Sequence, residues 1–278
     1  MLLKIYNKII DLSVFLRSCL RHGGYCKPVI AKVCNDSLLK NKRVIVTGGS
    51  SGIGYAIAEK FIAQGAIVLI TGRDLQKLQN AKKKINSDNL KIMDWDVSVI
   101  SQVEENYSKA EISLGGSVDI LINNAGILLK QDFMTLDEST WENTYAVNSK
   151  SIYFLSQTAS NRWLSQKKGG KIINISSTSA FYGSTIPYGL SKWDVRGLTE
   201  GLGKKLCNSG IIVNGIAPGR TATAMLNKSA KGNIYDSKTL PKRYCLPEEI
   251  AELASFLASD ASNFIVGQTI VCDGGYTL

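Results

Sequence analysis

The segment Thr47–Gly54, TGGSSGIG, constrains the fold of this 278-residue chain more than any other stretch. It lies between Arg43–Thr47 (RVIVT), a short apolar β-branched run, and Ile53–Gln64, which has a helical pattern. A glycine cluster alone is ordinary turn chemistry. Set between a strand and a helix, it is what a dinucleotide-phosphate turn requires. Gly48 permits a tight exit from the strand. Gly52 has no Cβ to hold the backbone off a pyrophosphate, and Gly54 lets the helix pack close to the sheet. Ser50, Ser51 and Ile53 complete the turn, and the helix amino terminus offers free N–H groups and the positive end of its dipole to phosphate.

From Lys42 onward the strand–turn–helix pattern repeats. Ala66–Thr71, Leu90–Asp94, Val118–Ile122, Lys171–Ser176, Ile211–Ile216 and Thr269–Val271 are six further strand candidates, most of them separated by helical stretches. One of these helices starts at Asp74 and runs towards Ile85. Near-continuous apolar strands alternating with helices imply a parallel sheet covered on both faces. We therefore expect residues 41–278 to form a single doubly wound α/β domain with a mostly parallel sheet of about seven strands. Neither an internal repeat nor a low-complexity segment argues for a second unit.

Residues 1–40 differ. Leu2, Ile5, Ile9, Leu12, Leu16 and Leu20 recur at helical spacing, with Lys4, Asn7, Lys8, Asp11 and Ser18 largely opposite. This predicts an amphipathic helix, ended by Gly23–Gly24 and joined to the domain by a connector through Pro28. The charged residues break up what would be the apolar core of a signal peptide. Three fates are open to the helix: packing on its own domain, on a sister subunit, or in a membrane interface through residues 1–20.

No apolar stretch approaches the roughly 20 residues that span a bilayer. The net charge of +10 comes from 33 basic and 23 acidic residues, but clusters such as Lys82–Lys83–Lys84 follow helical patterns and read as solvated faces. No nucleic-acid motif accompanies them, so no nucleic-acid partner is expected. Six cysteines at 19, 26, 34, 207, 245 and 272 show no metal spacing, and His22 is the sole histidine. No metal is expected, and the thiols suit a reducing cytoplasm.

With three residues between its first two glycines, the TGxxxGxG turn resembles that of the short-chain dehydrogenase/reductase family. The resemblance extends over residues 42–278, includes the 3-oxoacyl carrier-protein reductases among its nearest classes, and implies a Rossmann-type fold. A ribose 2′-OH calls for a carboxylate at the end of the second strand, whereas a 2′-phosphate calls for a cation. The chain has Thr71–Gly72–Arg73 there, so NADP(H) is favoured over NAD(H), with Arg73 as the phosphate clamp. Asp74 reads as the cap of the following helix rather than the ribose acid. By the same resemblance Asp96 and Val97 meet the adenine. Asn124, Ala125 and Gly126 line the adenosine side, and Pro218, Gly219 and Thr223 hold the carboxamide.

Tyr188 and Lys192 match the family's YxxxK motif, and four residues on a helix put both side chains on one face. A free phenol has a pKa of about 10, so a nearby ammonium and oxidised nicotinamide are expected to bring it towards the working range. Tyr188 then serves as general acid or base. The resemblance makes Ser177 the residue that polarises the substrate oxygen and Asn148 the structural and proton-relay asparagine. Eleven positions separate Ser177 from Tyr188, about two fewer than in relatives, so Ser176 remains an alternative.

The expected activity is hydride transfer between nicotinamide and a small-molecule ketone or secondary alcohol. Substrate choice should lie in residues 224–245, where Lys228, Lys231, Lys238, Lys242 and Arg243 form either a solvated lid or a site for an anionic group. A 3-oxoacyl thioester heads the substrate classes; sugar, nucleotide-sugar, steroid and polyol reduction stay open, as does a non-catalytic NADP-binding role. The apolar end FIVGQTIVCDGGYTL resembles the family's subunit contact, implying a homodimer or homotetramer.

Overall fold

The computed structural model describes residues 12–21, 23–26, 37–229 and 232–278. Seven strands form one sheet: β1 (Arg43–Thr47), β2 (Ile67–Gly72), β3 (Leu90–Asp94), β4 (Ile120–Asn123), β5 (Gly170–Ile175), β6 (Ile211–Pro218) and β7 (Thr269–Cys272). Their order is β3-β2-β1-β4-β5-β6-β7, and every pairing is parallel. All seven strands expected from the sequence are present, with boundary shifts of one or two residues.

Residues 12–21 are helical (α1). The connections carry α2 (Gly52–Ala63), α3 (Leu75–Ile85), α4 (Val103–Leu114), α5 (Glu138–Tyr145), α6 (Ser151–Ser165), α7 (Pro187–Leu206) and α8 (Pro247–Ala258). Side chains on a strand alternate between faces, so each buried strand supplies two cores. Val44 and Val46 of β1 pack with α2 and α8 through Ile57, Phe61, Ile250 and Leu257. Ile45, between them, points to the other face and joins Tyr107 of α4 with Leu155 and Trp163 of α6. Leu69 and Leu121 repeat this split in β2 and β4.

The chain runs outward from β1 through β2 to β3, then crosses back to place β4 on the other side of β1. Loops leaving β1 and β4 therefore diverge and leave a crevice at the carboxyl ends of the strands, where open α/β sheets hold their ligands.

The first of the three fates for the amino-terminal helix is not what the structure displays within residues 12–21. Leu12, Phe15, Leu16 and Leu20 are all exposed, Leu20 at 85%. What ties this region down is a set of polar bonds together with Cys26, which packs against the Ala222, Ile234, Tyr244 and Leu246 cluster. Asn233 donates to the Ser18 hydroxyl (2.9 Å) and the Gly24 carbonyl (3.1 Å), and accepts from the Cys26 amide (3.2 Å). Residues 1–11, including Leu2, Ile5 and Ile9, lie outside the described residues, as do His22, Pro28, Cys34 and Lys231.

Candidate active site

A cavity of about 670 Å³ occupies the crevice, well within the usual size of a ligand site. Its floor is the glycine turn. Gly48 and Gly52 have φ of +65° and +57°, a left-handed conformation that strains any residue with a Cβ. A Cβ at Gly48 would also lie 2.9 Å from the Ala125 Cα, and one at Gly54 would lie 2.5 Å from the Gly48 carbonyl oxygen. Ser51 precedes α2 with an extended backbone and no side-chain capping bond, so the helix terminus keeps N–H groups for an anion. The turn is fastened from β4. Thr47 Oγ1 accepts from the Asn124 and Ala125 amides, both at 3.0 Å, while Asn124 Nδ2 donates to the Thr47 and Gly48 carbonyls.

Gly48, Ser50, Ser51, Gly52 and Ile53 all line the cavity, as do Asn124, Ala125 and Gly126. Gly54 is instead buried behind the wall, consistent with a packing role. This bare glycine floor and uncapped helix fit a dinucleotide pyrophosphate.

Arg73, Asp96 and Val97 line one end of the cavity. Arg73 is largely exposed and lies 4.0 Å from Asp96, an ion pair of little net worth in water. Asp74 caps α3 by accepting from the Lys77 amide at 3.0 Å, and that hydrogen bond holds its carboxyl below the ordinary range. Lys77 also lines the cavity, with its ammonium 3.3 Å from Asp74. Sequence reading missed this second cation, although its position three residues after the cap was a usable signal.

Tyr188 and Lys192 start α7 one turn apart, and both line the cavity. Lys192 Nζ lies 5.8 Å from the centre of the Tyr188 ring and donates to the Ile175 carbonyl at 2.9 Å. Burial lowers its pKa to about 8. The phenol of Tyr188 is pushed up by burial, with a hydrogen bond to Ser177 pulling it partly back. Among the chain's own groups the net direction for Tyr188 is upward, because loss of water penalises the phenolate more than Ser177 helps it.

The two adjacent serines separate cleanly. Ser176 Oγ donates to the Lys192 carbonyl at 2.9 Å and is committed to α7. Ser177 Oγ meets the Tyr188 phenol on the cavity wall and accepts from the Ser179 amide at 3.2 Å. The shortened loop thus still brings Ser177 to Tyr188.

Asn148 does not line the cavity. It is fully buried, and the continuous long helix expected around it is interrupted by a π-helical turn over Ala146–Lys150. Its Oδ1 accepts from the Ile127 amide (2.8 Å) and its Nδ2 donates to the Ile127 carbonyl (2.9 Å). A Cβ on Gly126 would lie 3.5 Å from Asn148 Oδ1 and 3.7 Å from Lys192 Nζ, so Gly126 sits between the two.

Pro218 ends β6 and Gly219 follows it on the cavity rim, with the Gly219 amide donating to the Cys272 carbonyl at 3.0 Å. Thr223 faces the phosphate turn, since a Cβ on Gly52 would lie 3.3 Å from its methyl group. Between them Arg220, which sequence reading passed over, also lines the cavity. Of the stretch 224–245, Ala224, Met225 and Leu226 reach the cavity. The described basic residues of this stretch do not line it: Lys242 donates to the Ser237 carbonyl, and Arg243 pairs with Glu249.

Comparison with known proteins agrees with this geometry. The model of the short chain dehydrogenase family matches residues 42–233. The 3-oxoacyl-(acyl-carrier-protein) reductase of Aquifex aeolicus is 32% identical over 85% of this chain and 98% of its own. The 3alpha-hydroxysteroid dehydrogenase of Mediterraneibacter gnavus is 34% identical over 85% and 97%. Among solved structures, a short-chain type dehydrogenase/reductase from Mycobacterium marinum superposes with a TM-score of 0.79 at 30% identity, covering 86% of this chain and 96% of that one. On its sequence, its sheet and its cavity alike, the chain belongs to the short chain dehydrogenase family of oxidoreductases.

Proposed function

We propose that the chain interconverts a ketone and a secondary alcohol with NADP(H) as its cofactor. The observation that carries this reading is convergence: Ser177, Tyr188 and Lys192 share one cavity with the glycine turn. A bound nicotinamide would supply or accept the hydride. Around it the chain's own residues have distinct tasks. Ser177 Oγ donates a hydrogen bond to the substrate oxygen and steadies charge developing there. Tyr188 hands its phenolic proton to that oxygen in reduction and takes one back in oxidation. The protonated phenol is the form that donates in ketone reduction. Lys192 holds positive charge under the phenol. Asn148 positions both groups through the backbone at Ile127 and Gly126.

Arg73 and Lys77 support the 2′-phosphate preference: two cations gather where β2 ends in Gly72 instead of a carboxylate. Asp96 and Val97 form the adenine wall, and Pro218, Gly219 and Thr223 form the carboxamide side. Among the described residues Cys19, Cys207, Cys245 and Cys272 carry free thiols. Among the described residues no helix is long and apolar enough to cross a membrane. The exposed stripe Leu12–Phe15–Leu16–Leu20 supports a peripheral contact of α1 instead.

Relatives named for acyl-carrier-protein, gluconate and steroid substrates stand at similar identity, so relatedness leaves the choice of ketone to the pocket. The test is a panel of ketones followed by NADPH loss. Turnover with NADPH should exceed that with NADH, and Tyr188→Phe should lower it by about 100-fold or more, the scale of a lost general acid. Full turnover in the Phe variant would reject the assignment.

A further inference from the structure

The basic stretch near the site suggests an anionic substrate, but the cavity itself has a different electrostatic character. Among the described residues lining it, the cations are Arg73, Lys77, Lys192 and Arg220. Arg73 and Lys77 sit at the end of β2, and Lys192 lies beneath Tyr188. Arg220 is therefore the one cation at the substrate end, and it is already matched. Its Nε donates to Asp236, whose side chain is 5% exposed. Its Nη2 donates to the Tyr244 hydroxyl at 2.7 Å, and the guanidinium lies 5.0 Å from the centre of that ring.

Asp236 is built into this position. Its Oδ1 accepts from the Lys238 amide at 3.2 Å, and its own amide donates to the Lys242 carbonyl at 3.0 Å. A carboxylate entering beside Arg220 would meet a cation whose charge is spent, with a buried anion behind it. It would lose its hydration with little return. The other lining residues carry no charge here: Leu128, Ile186, Met225, Leu226 and Tyr276 are apolar or aromatic, Thr178 and Thr221 are hydroxyls, and Tyr182 is linked to Ser179 at 3.2 Å.

We propose that the substrate is an uncharged ketone with an apolar body, and that Asp236 enforces this by neutralising Arg220 at the pocket wall. This rests on the oxidoreductase reading above and narrows it. Asp236 is a positioning and specificity residue; it acts through Arg220 and touches neither substrate nor the reacting atoms.

The experiment uses a matched pair, ethyl 3-oxohexanoate and 3-oxohexanoate, which place the same ketone next to a neutral ester or a carboxylate. With the full chain and NADPH, kcat/KM for the ester should exceed that for the acid by about tenfold or more, the scale of one mismatched polar contact. Asp236→Asn leaves Arg220 uncompensated and should shrink the ratio at least about tenfold, mainly through a lower KM for the acid, whereas Asp236→Glu should restore it. A wild-type preference for the acid would overturn the proposal, as would an unchanged ratio in a folded Asn variant. Should that variant not fold, the wild-type ratio decides. Melting shifts of the NADPH-bound wild type with ester and with acid report the same selectivity without turnover. Absence of turnover on both, with ester stabilising and acid not, would count against the proposed NADPH-dependent ketone reduction and leave the selectivity standing.

Discussion

At the scale of single residues, the site depends on two groups whose pKa values burial moves apart. Tyr188 is held above the ordinary phenol range, and Lys192 is lowered to about 8. The protonated lysine is the form the reaction uses, and it is lost as pH rises through about 8. Ketone reduction, measured as kcat/KM, should therefore fall above about pH 8. Lys192→Arg keeps its charge at all working pH values, so this variant should lower the plateau and move the fall to higher pH. An unmoved fall would assign it to another group. The motif that named Tyr188 and Lys192 was legible in the sequence; the direction of their pKa values was not, because burial is a property of the packed chain. The choice between Ser176 and Ser177 is similar. Neighbouring hydroxyls on an extended backbone point opposite ways, and only the position of α7 decides which one meets the phenol.

At the scale of elements, the strands and the start of α2 were readable because each carries a local physical demand. Apolar β-branched runs and glycines at left-handed φ have few alternative uses. The π-helical turn at Ala146–Lys150 was not readable, since a single such turn inside a helix has no residue signature of its own. A second device of this kind is Lys171 of β5. Its buried ammonium donates to the Ser259 carbonyl and lies 3.5 Å from the Leu257 carbonyl and 3.3 Å from Ser262 Oγ. The two carbonyls lie at the end of α8 and also accept from the Ser262 hydroxyl, and a cation there meets the negative pole of the helix. Lys171→Met should cost about 1–3 kcal/mol, seen as a lower melting temperature with α8 the first element to exchange its amide hydrogens. Burial lowers the Lys171 pKa from 10.5 to about 8. Across that window the folded chain binds fewer protons than the unfolded one, so wild-type stability rises with pH relative to the Met variant. A gap that narrows between pH 8 and 10 would contradict this account.

At the scale of the whole molecule, β7 closes one edge of the sheet, and among the described residues no strand pairs with its outer side. An uncovered edge is a template for another chain, and fully exposed Phe264 and Leu278 lie on the same carboxyl-terminal stretch. Equilibrium sedimentation should find a dimer or tetramer, and Phe264→Asp should shift it towards smaller species. A monomeric wild type would remove that expectation.

From its sequence alone the chain determined a doubly wound domain, a phosphate turn and a Tyr–Lys pair, because spacing along one strand or helix carries all three. The sequence also marked an amphipathic amino-terminal helix, but not that its apolar stripe would be left facing outward. Tertiary structure alone decided which cations face the cavity. Arg220 and Lys77 enter it, whereas Arg243 and the described lysines of residues 224–245 do not. Charge along a chain says how many cations there are; only packing says which carboxylate each one meets first.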